Sequence, residues 1–164
     1  GVPPVRRGSG VVTSMKIYVA SSWRNQRHPL VVLALRKDGH CVYDFTDKTV
    51  HPADGITPPT FAFNWSWIDP AWKGWTPDEY QKALGHELAA KGFESDLSAM
   101  KWAEACVLVL PCNRSAHLEL GWFLGQGKPG YILLDKESFE PELMYKLATG
   151  FLADLSDLCA ALQS

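Results

Sequence analysis

Long apolar runs are missing from this chain of 164 residues. None approaches the roughly 20 residues that a membrane helix needs, so no membrane partner is expected. Arg6 and Arg7 have no apolar stretch behind them, and residues 1–14 therefore do not read as a secretory signal. A strong charge of one sign is missing too: 16 Lys and Arg stand against 18 Asp and Glu, for a formal charge of −2. That balance argues against a chain-wide grip on a nucleic acid polymer, while leaving room for a local pocket that holds one phosphate. Cys41, Cys106, Cys112 and Cys159 show neither Cys-x-x-Cys spacing nor clustering, so reduced thiols in a cytoplasmic protein are expected. No His-x₃-His pair, mixed Cys/His set or carboxylate cluster points to a metal. Internal repeats and low-complexity segments are absent as well.

What is present suits one globular domain with a real core: 46% of residues are hydrophobic and 21% charged. The Pro-, Gly- and Ser-containing start, residues 1–14, reads as a flexible tail, and residues 15–164 as a single domain. Lys16 to Ala20 is short, β-branched and aromatic, which predicts a strand running into the polar loop Ser21-Ser22-Trp23-Arg24-Asn25. Helical spacing over His28 to Lys37 stops at Gly39, and Cys41 to Tyr43 follows as a second strand. Strand, helix, strand at this spacing predicts a right-handed parallel crossover. The run Val107 to Leu110 has the continuous apolar character of a strand buried on both faces. Ser115 is expected to open a helix ending at Gly125 to Gly127, before a strand over Tyr131 to Leu134. Two further helices, with a short strand near Phe151, are expected between Pro141 and Leu162. This alternation predicts a three-layer, doubly wound α/β domain of the flavodoxin or Rossmann type, with four or five parallel strands.

The middle breaks that rhythm. Pro52, Gly55, Pro58, Pro59 and Pro70 exclude a long regular element between residues 44 and 75. Loops of about 30 residues are functional or disordered as a rule. Four of the seven tryptophans, Trp65, Trp67, Trp72 and Trp75, fall here, and leaving them in water is costly. An ordered, Trp-rich flap is expected. Thr76-Pro77-Asp78-Glu79 then carries a capping box and predicts a helix to Lys91, ended by Gly92. A further helix is expected from Ser95 and Asp96 through Trp102.

In an open parallel sheet, ligands bind beyond the carboxyl ends of the strands, where the strand order reverses. Ser21, Ser22 and Arg24 emerge there from the first strand, and Asn113 and Ser115 from the third. The helix opened by Ser115 aims free N–H groups and its positive end at the same crevice. Glu119 lies one turn into that helix, flanked by Leu118 and Leu120, either as a reactive carboxylate or as a partner of the helix dipole. His117 is two positions away and cannot share its face, so it reads as a capping or packing residue. Gly125 to Pro129 superficially suggests a phosphate loop, but it follows a helix instead of preceding one and reads as a helix stop.

Tyr18-Val19-Ala20-Ser21-Ser22, Asp96 near a helix start, and Glu119-Leu120-Gly121 followed by Gly127-Lys128-Pro129 resemble the nucleoside 2-deoxyribosyltransferase family, including its branch hydrolysing 2'-deoxynucleoside 5'-monophosphates. The resemblance covers most of residues 15–135. It implies cleavage or exchange at the N-glycosidic bond of a small nucleoside or nucleotide, without cofactor or metal, in a homo-oligomer whose neighbouring subunits complete the pockets. Glu119 matches the family's nucleophile. Asp96 matches the acid that contacts the sugar or assists the leaving base, and Tyr18 the residue that holds the Glu. Ser22 and Arg24 fall where the monophosphate hydrolases bind phosphate. Asn113 departs from the Asp or Ser found six residues before the Glu, and the flap, with Trp65 and Trp67 as candidate base-stacking residues, departs as well. Two other readings stand beside this one: a nucleotide-binding or sensing module without turnover, and a glycohydrolase of a nicotinamide dinucleotide.

Overall fold

The computed structural model describes residues 14–48, 52 and 54–163. The expected tail therefore lies outside the described residues, Ser14 excepted. Strand β1 (Lys16–Ala20) is buried from Ile17 onward, and helix α1 (His28–Lys37) leads to β2 (Cys41–Asp44). Gly39 turns the chain at φ +94°, its N–H donating to Arg36 O and that of His40 to Leu35 O. These two hydrogen bonds satisfy carbonyls of the last helical turn and require the left-handed conformation that glycine tolerates.

Helix α2 (Pro77–Leu84) starts with the expected capping box between Thr76 and Glu79. It ends earlier than the sequence suggests. His86 accepts the Leu88 N–H on its Nδ1 and so caps a new helix, α3 (Glu87–Trp102), which runs straight through Gly92. Gly92 is not a terminator. A Cβ there would lie 2.7 Å from the Phe63 Cβ, so the glycine admits a close approach by the flap. Asp96 consequently sits well inside α3 and not at a helix start.

Strand β3 (Ala105–Val109) is buried at all five positions and feeds α4 (Arg114–Gly125). Asn113 caps α4, its Oδ1 accepting the Ala116 N–H at 3.1 Å, so the helix begins one residue before Ser115. Gly127 (φ +75°) ends this segment ahead of β4 (Gly130–Leu133). Lys128 donates to the carbonyls of Met100, Lys101 and Ala103, tying off the end of α3. Downstream, a 3₁₀ segment (Leu143–Leu147) stands where the first of two helices was expected. Strand β5 (Gly150–Leu152) and α5 (Leu155–Gln163) follow.

The five strands are all parallel, in the order β2-β1-β3-β4-β5. One face of the sheet is covered by Val31, Val32 and Leu35 of α1 with Leu158 and Leu162 of α5. Ala99 and Met100 of α3 cover the other, with Ala116, Leu120 and Phe123 of α4. This is the flavodoxin-like three-layer arrangement, and its order reverses between β1 and β3, placing the crevice at their carboxyl ends. Among the described residues no helix is long and apolar enough to cross a membrane.

Candidate active site

A cleft of about 820 Å³ opens at that point of reversal. Tyr18, Asp96 and Glu119 line it together, although they come from β1, α3 and α4. The β1–β2 register sets Tyr18 directly beside Tyr43. Their rings stack at 5.3 Å and 14° from parallel. The Tyr43 hydroxyl donates to Asp96 Oδ1 at 3.1 Å, and the Tyr18 hydroxyl stands near enough to Glu119 to favour its ionised form. Two neighbouring strand positions thus stand beside two carboxyl groups that belong to different helices.

Both acids are hard to ionise there. Burial pushes the Glu119 carboxyl up to about 7, against the opposing pull of the Tyr18 hydroxyl and with a further push from the charge of Asp96. Asp96 is pushed up to about 6, again by burial, with the Tyr43 bond opposing. The burial that favours the neutral forms also surrounds Tyr18, whose hydroxyl is held protonated as a donor. A pair of carboxyls poised near neutrality suits proton transfer and attack by a carboxylate.

The polar residues expected from the loops also line the cleft: Ser21, Ser22 and Arg24 after β1, Asn113 and Ser115 around the start of α4. Their hydrogen bonding separates them. Ser21 donates its hydroxyl to Val109 O at 2.9 Å and accepts from Asn25 Nδ2 at 3.0 Å. Asn25 Nδ2 also reaches the carbonyls of Val109 and Pro111, so Ser21 and Asn25 lock the β1 loop to β3. The Ser22 hydroxyl accepts a 3.3 Å bond from the Arg24 N–H, and among the described residues it donates none. Asn113 spends its Oδ1 on the helix cap, and among the described residues its amide N–H groups donate to nothing. Lys48 adds a second cation to the walls.

Trp65, Trp67 and Trp72 supply the aromatic side of the cleft, with Phe63 beside them. Edge-on ring contacts order the flap: Phe63 meets Trp65 at 4.9 Å, and Trp65 meets Trp75 at 5.6 Å. Trp75 is not among the lining residues. Its Nε1 donates to Asp69 Oδ2 at 2.7 Å, bracing the flap from behind. Sequence reading missed Tyr43, Trp23, Phe45 and Lys48, and only Tyr43 carried a signal, as a strand-end tyrosine matching Tyr18.

His117 lies away from the carboxylate pair. Its Nε2 is 2.7 Å from the Tyr145 hydroxyl, its Nδ1 is 3.0 Å from Asn113 O, and the two rings stack. That is the packing role expected for it. Among the described residues no group of three or more His, Cys, Asp or Glu is placed to hold a metal ion.

No family model matches the sequence, and no curated protein matches it. The structure is similar to that of a 2-deoxyribosyltransferase from the psychrotolerant bacterium Bacillus psychrosaccharolyticus. The TM-score is 0.58 at 18% identity, over 89% of this chain and 94% of that one. At this identity the likeness establishes the fold: a nucleoside deoxyribosyltransferase-like, five-stranded parallel α/β domain.

Proposed function

We propose that this protein cleaves or transfers at the N-glycosidic bond of a nucleoside or nucleotide, with Glu119 as nucleophile. The observation that carries the reading is the carboxyl pair Glu119 and Asp96, which line one cleft beside two stacked tyrosines at the carboxyl end of a parallel sheet. In the productive state Glu119 is ionised and attacks the anomeric carbon. The electrons of the broken C–N bond pass to the leaving ring nitrogen, which takes a proton, where it needs one, from water or from Asp96 in the minority of molecules that hold the proton on Asp96 and not on Glu119. The glycosyl ester is then opened by water, which gives hydrolysis, or by a second base, which gives transfer, with net retention of configuration. Tyr18 stabilises the ionised form of Glu119 before attack.

Ser22, Arg24, Asn113 and Ser115, with the N-terminal end of α4, face the polar end of the substrate, a 5'-hydroxyl or 5'-phosphate. Trp65 and Trp67 stack on the ring. The fold shared with a 2-deoxyribosyltransferase is compatible with this chemistry. The reading takes residues 15–164 as one domain that works in the cytoplasm as a homo-oligomer. Light scattering on the purified protein checks the assembled state.

The test is release of free base from a panel of nucleosides and nucleotides, followed by chromatography. A 2-deoxy-2-fluoro nucleoside should leave a glycosyl adduct on the peptide containing Glu119, detected by mass spectrometry. Base release undiminished in Glu119→Gln refutes the assignment. Tight nucleotide binding with no release from any substrate identifies a binding module instead.

A further inference from the structure

The cleft does not close at its polar end. A second depression of about 230 Å³ adjoins it and shares Ser22, Arg24 and Asn113 with it, with Asn25, Pro111 and Cys112 as the far wall. The three shared side chains therefore stand on a saddle between two spaces. A phosphate resting there is left open on both sides, whereas a site shaped for a terminal phosphate encloses it, and Trp23 lines the main cleft beside it.

The aromatic lining is divided in two. Trp23, between Ser22 and Arg24 in the chain, is 53% exposed and meets Phe45 edge-on at 5.3 Å. Phe45 in turn packs on His28 at the start of α1 and against the core that α3 and α4 cover. Phe63, Trp65 and Trp67 interlock with one another as a separate group, where Phe63 covers Gly92 of α3. Both groups line the same cleft, together with the cations of Arg24 and Lys48. Small-molecule pockets span about 300–1,000 Å³. A cleft of about 820 Å³ is near the top of that range, and one nucleoside leaves much of it unfilled.

We propose that the cleft takes ligands of the dinucleotide class, two planar rings on pentoses joined through phosphate. The joining phosphates rest on Ser22, Arg24 and Asn113, one ring lies on the flap tryptophans beside the carboxylate pair, and the other lies on Trp23. The inference rests on the glycosidase reading for which bond is cut, but the second ring site is tested by binding alone. The ring contact of Trp23 is with Phe45.

The experiment is calorimetric titration of Glu119→Gln with nicotinamide adenine dinucleotide and with its two halves, nicotinamide mononucleotide and adenosine 5'-monophosphate. The dinucleotide is expected to bind at least tenfold tighter than either half. Adding Trp23→Ala should cost the dinucleotide about tenfold, as expected for loss of one stacked ring, and at least one half less than twofold. Trp23→Phe should restore most of the loss. Halves that bind as tightly as the dinucleotide overturn the proposal, as does a Trp23→Ala effect that is absent or equal for all three ligands. In parallel, wild-type protein is assayed for ring release. Trp23-dependent dinucleotide binding without any release leaves this proposal standing and removes the glycosidase reading. Cleavage of mononucleotides with no preference for the dinucleotide does the reverse.

Discussion

Tyr18 and Tyr43 stand in register on adjacent parallel strands, stacked at 5.3 Å, with Tyr43 donating a hydrogen bond to Asp96 and Tyr18 favouring the ionised form of Glu119. The pairing turns a sheet register into a shared setting for Glu119 and Asp96. Side chains at paired positions of neighbouring strands share one face of the sheet, so the hydroxyls emerge side by side. The two helices that pack on that face bring the acids to meet them.

Glu119→Gln should abolish turnover by orders of magnitude and stabilise the fold at the same time. In the unfolded chain this carboxyl ionises near 4.5, whereas the folded protein holds its proton up to about 7. Between those values the folded state binds more protons, so stability falls as pH rises through the window. Above pH 7 the buried charge costs roughly 3 kcal/mol, and the neutral amide avoids that cost. Differential scanning calorimetry at pH 8 should show a melting temperature raised by several degrees, at about 2–4 °C per kcal/mol. The gain should vanish near pH 4.5.

Asp96→Asn should move the acid limb of the pH profile. The charge of Asp96 pushes Glu119 upward, so its removal lowers the pH at which Glu119 ionises from about 7. The limb in kcat/KM should shift toward acid, measured on a substrate whose leaving ring needs no proton. With a substrate that does need one, kcat should fall by about 10²–10⁴-fold.

Tyr43→Phe removes a bond that holds Asp96 down, and the carboxyl should then titrate above about 6. Hydrogen bonds to charged groups contribute about 1.5–3 kcal/mol. The Asp96 resonance should be displaced toward alkaline pH in an NMR titration, and a loss of roughly tenfold in kcat is expected because the acid is no longer held in place, even though it keeps its proton more readily. An unmoved Asp96 titration would remove Tyr43 from the positioning of this acid.

Gly92→Ala drives a methyl group to 2.7 Å from the Phe63 Cβ. Because the neighbour is the root of a side chain and not its flexible end, the flap must shift. Overpacking of this kind costs about 1–3 kcal/mol. Thermal unfolding should register that loss, and KM should rise more than kcat falls, since the flap wall and not the carboxylate pair has moved.

Much of this was legible in the chain because it is encoded locally. Apolar runs marked β1 and β3, the capping box at Thr76 marked the start of α2, and the glycine and lysine around residue 127 marked the stop after α4. The candidate site residues on the β1 loop and α4 followed from the alternation of strands and helices, which dictates where the carboxyl ends collect. Local signals misled at Gly92, where the same residue type that ends helices also admits close contacts, and at the 3₁₀ segment near residue 145.

By itself, then, the sequence determined an alternating parallel α/β domain and the loops that meet over its crevice, since period, caps and turn residues act over a few positions of chain. Only the tertiary structure decided that Tyr43 pairs with Tyr18, that Asp96 arrives from the interior of a helix, and that Trp75 braces the flap while Trp65, Trp67 and Trp72 face the cleft. Those outcomes depend on strand register and on which surfaces pack together, and residues far apart in the chain settle both.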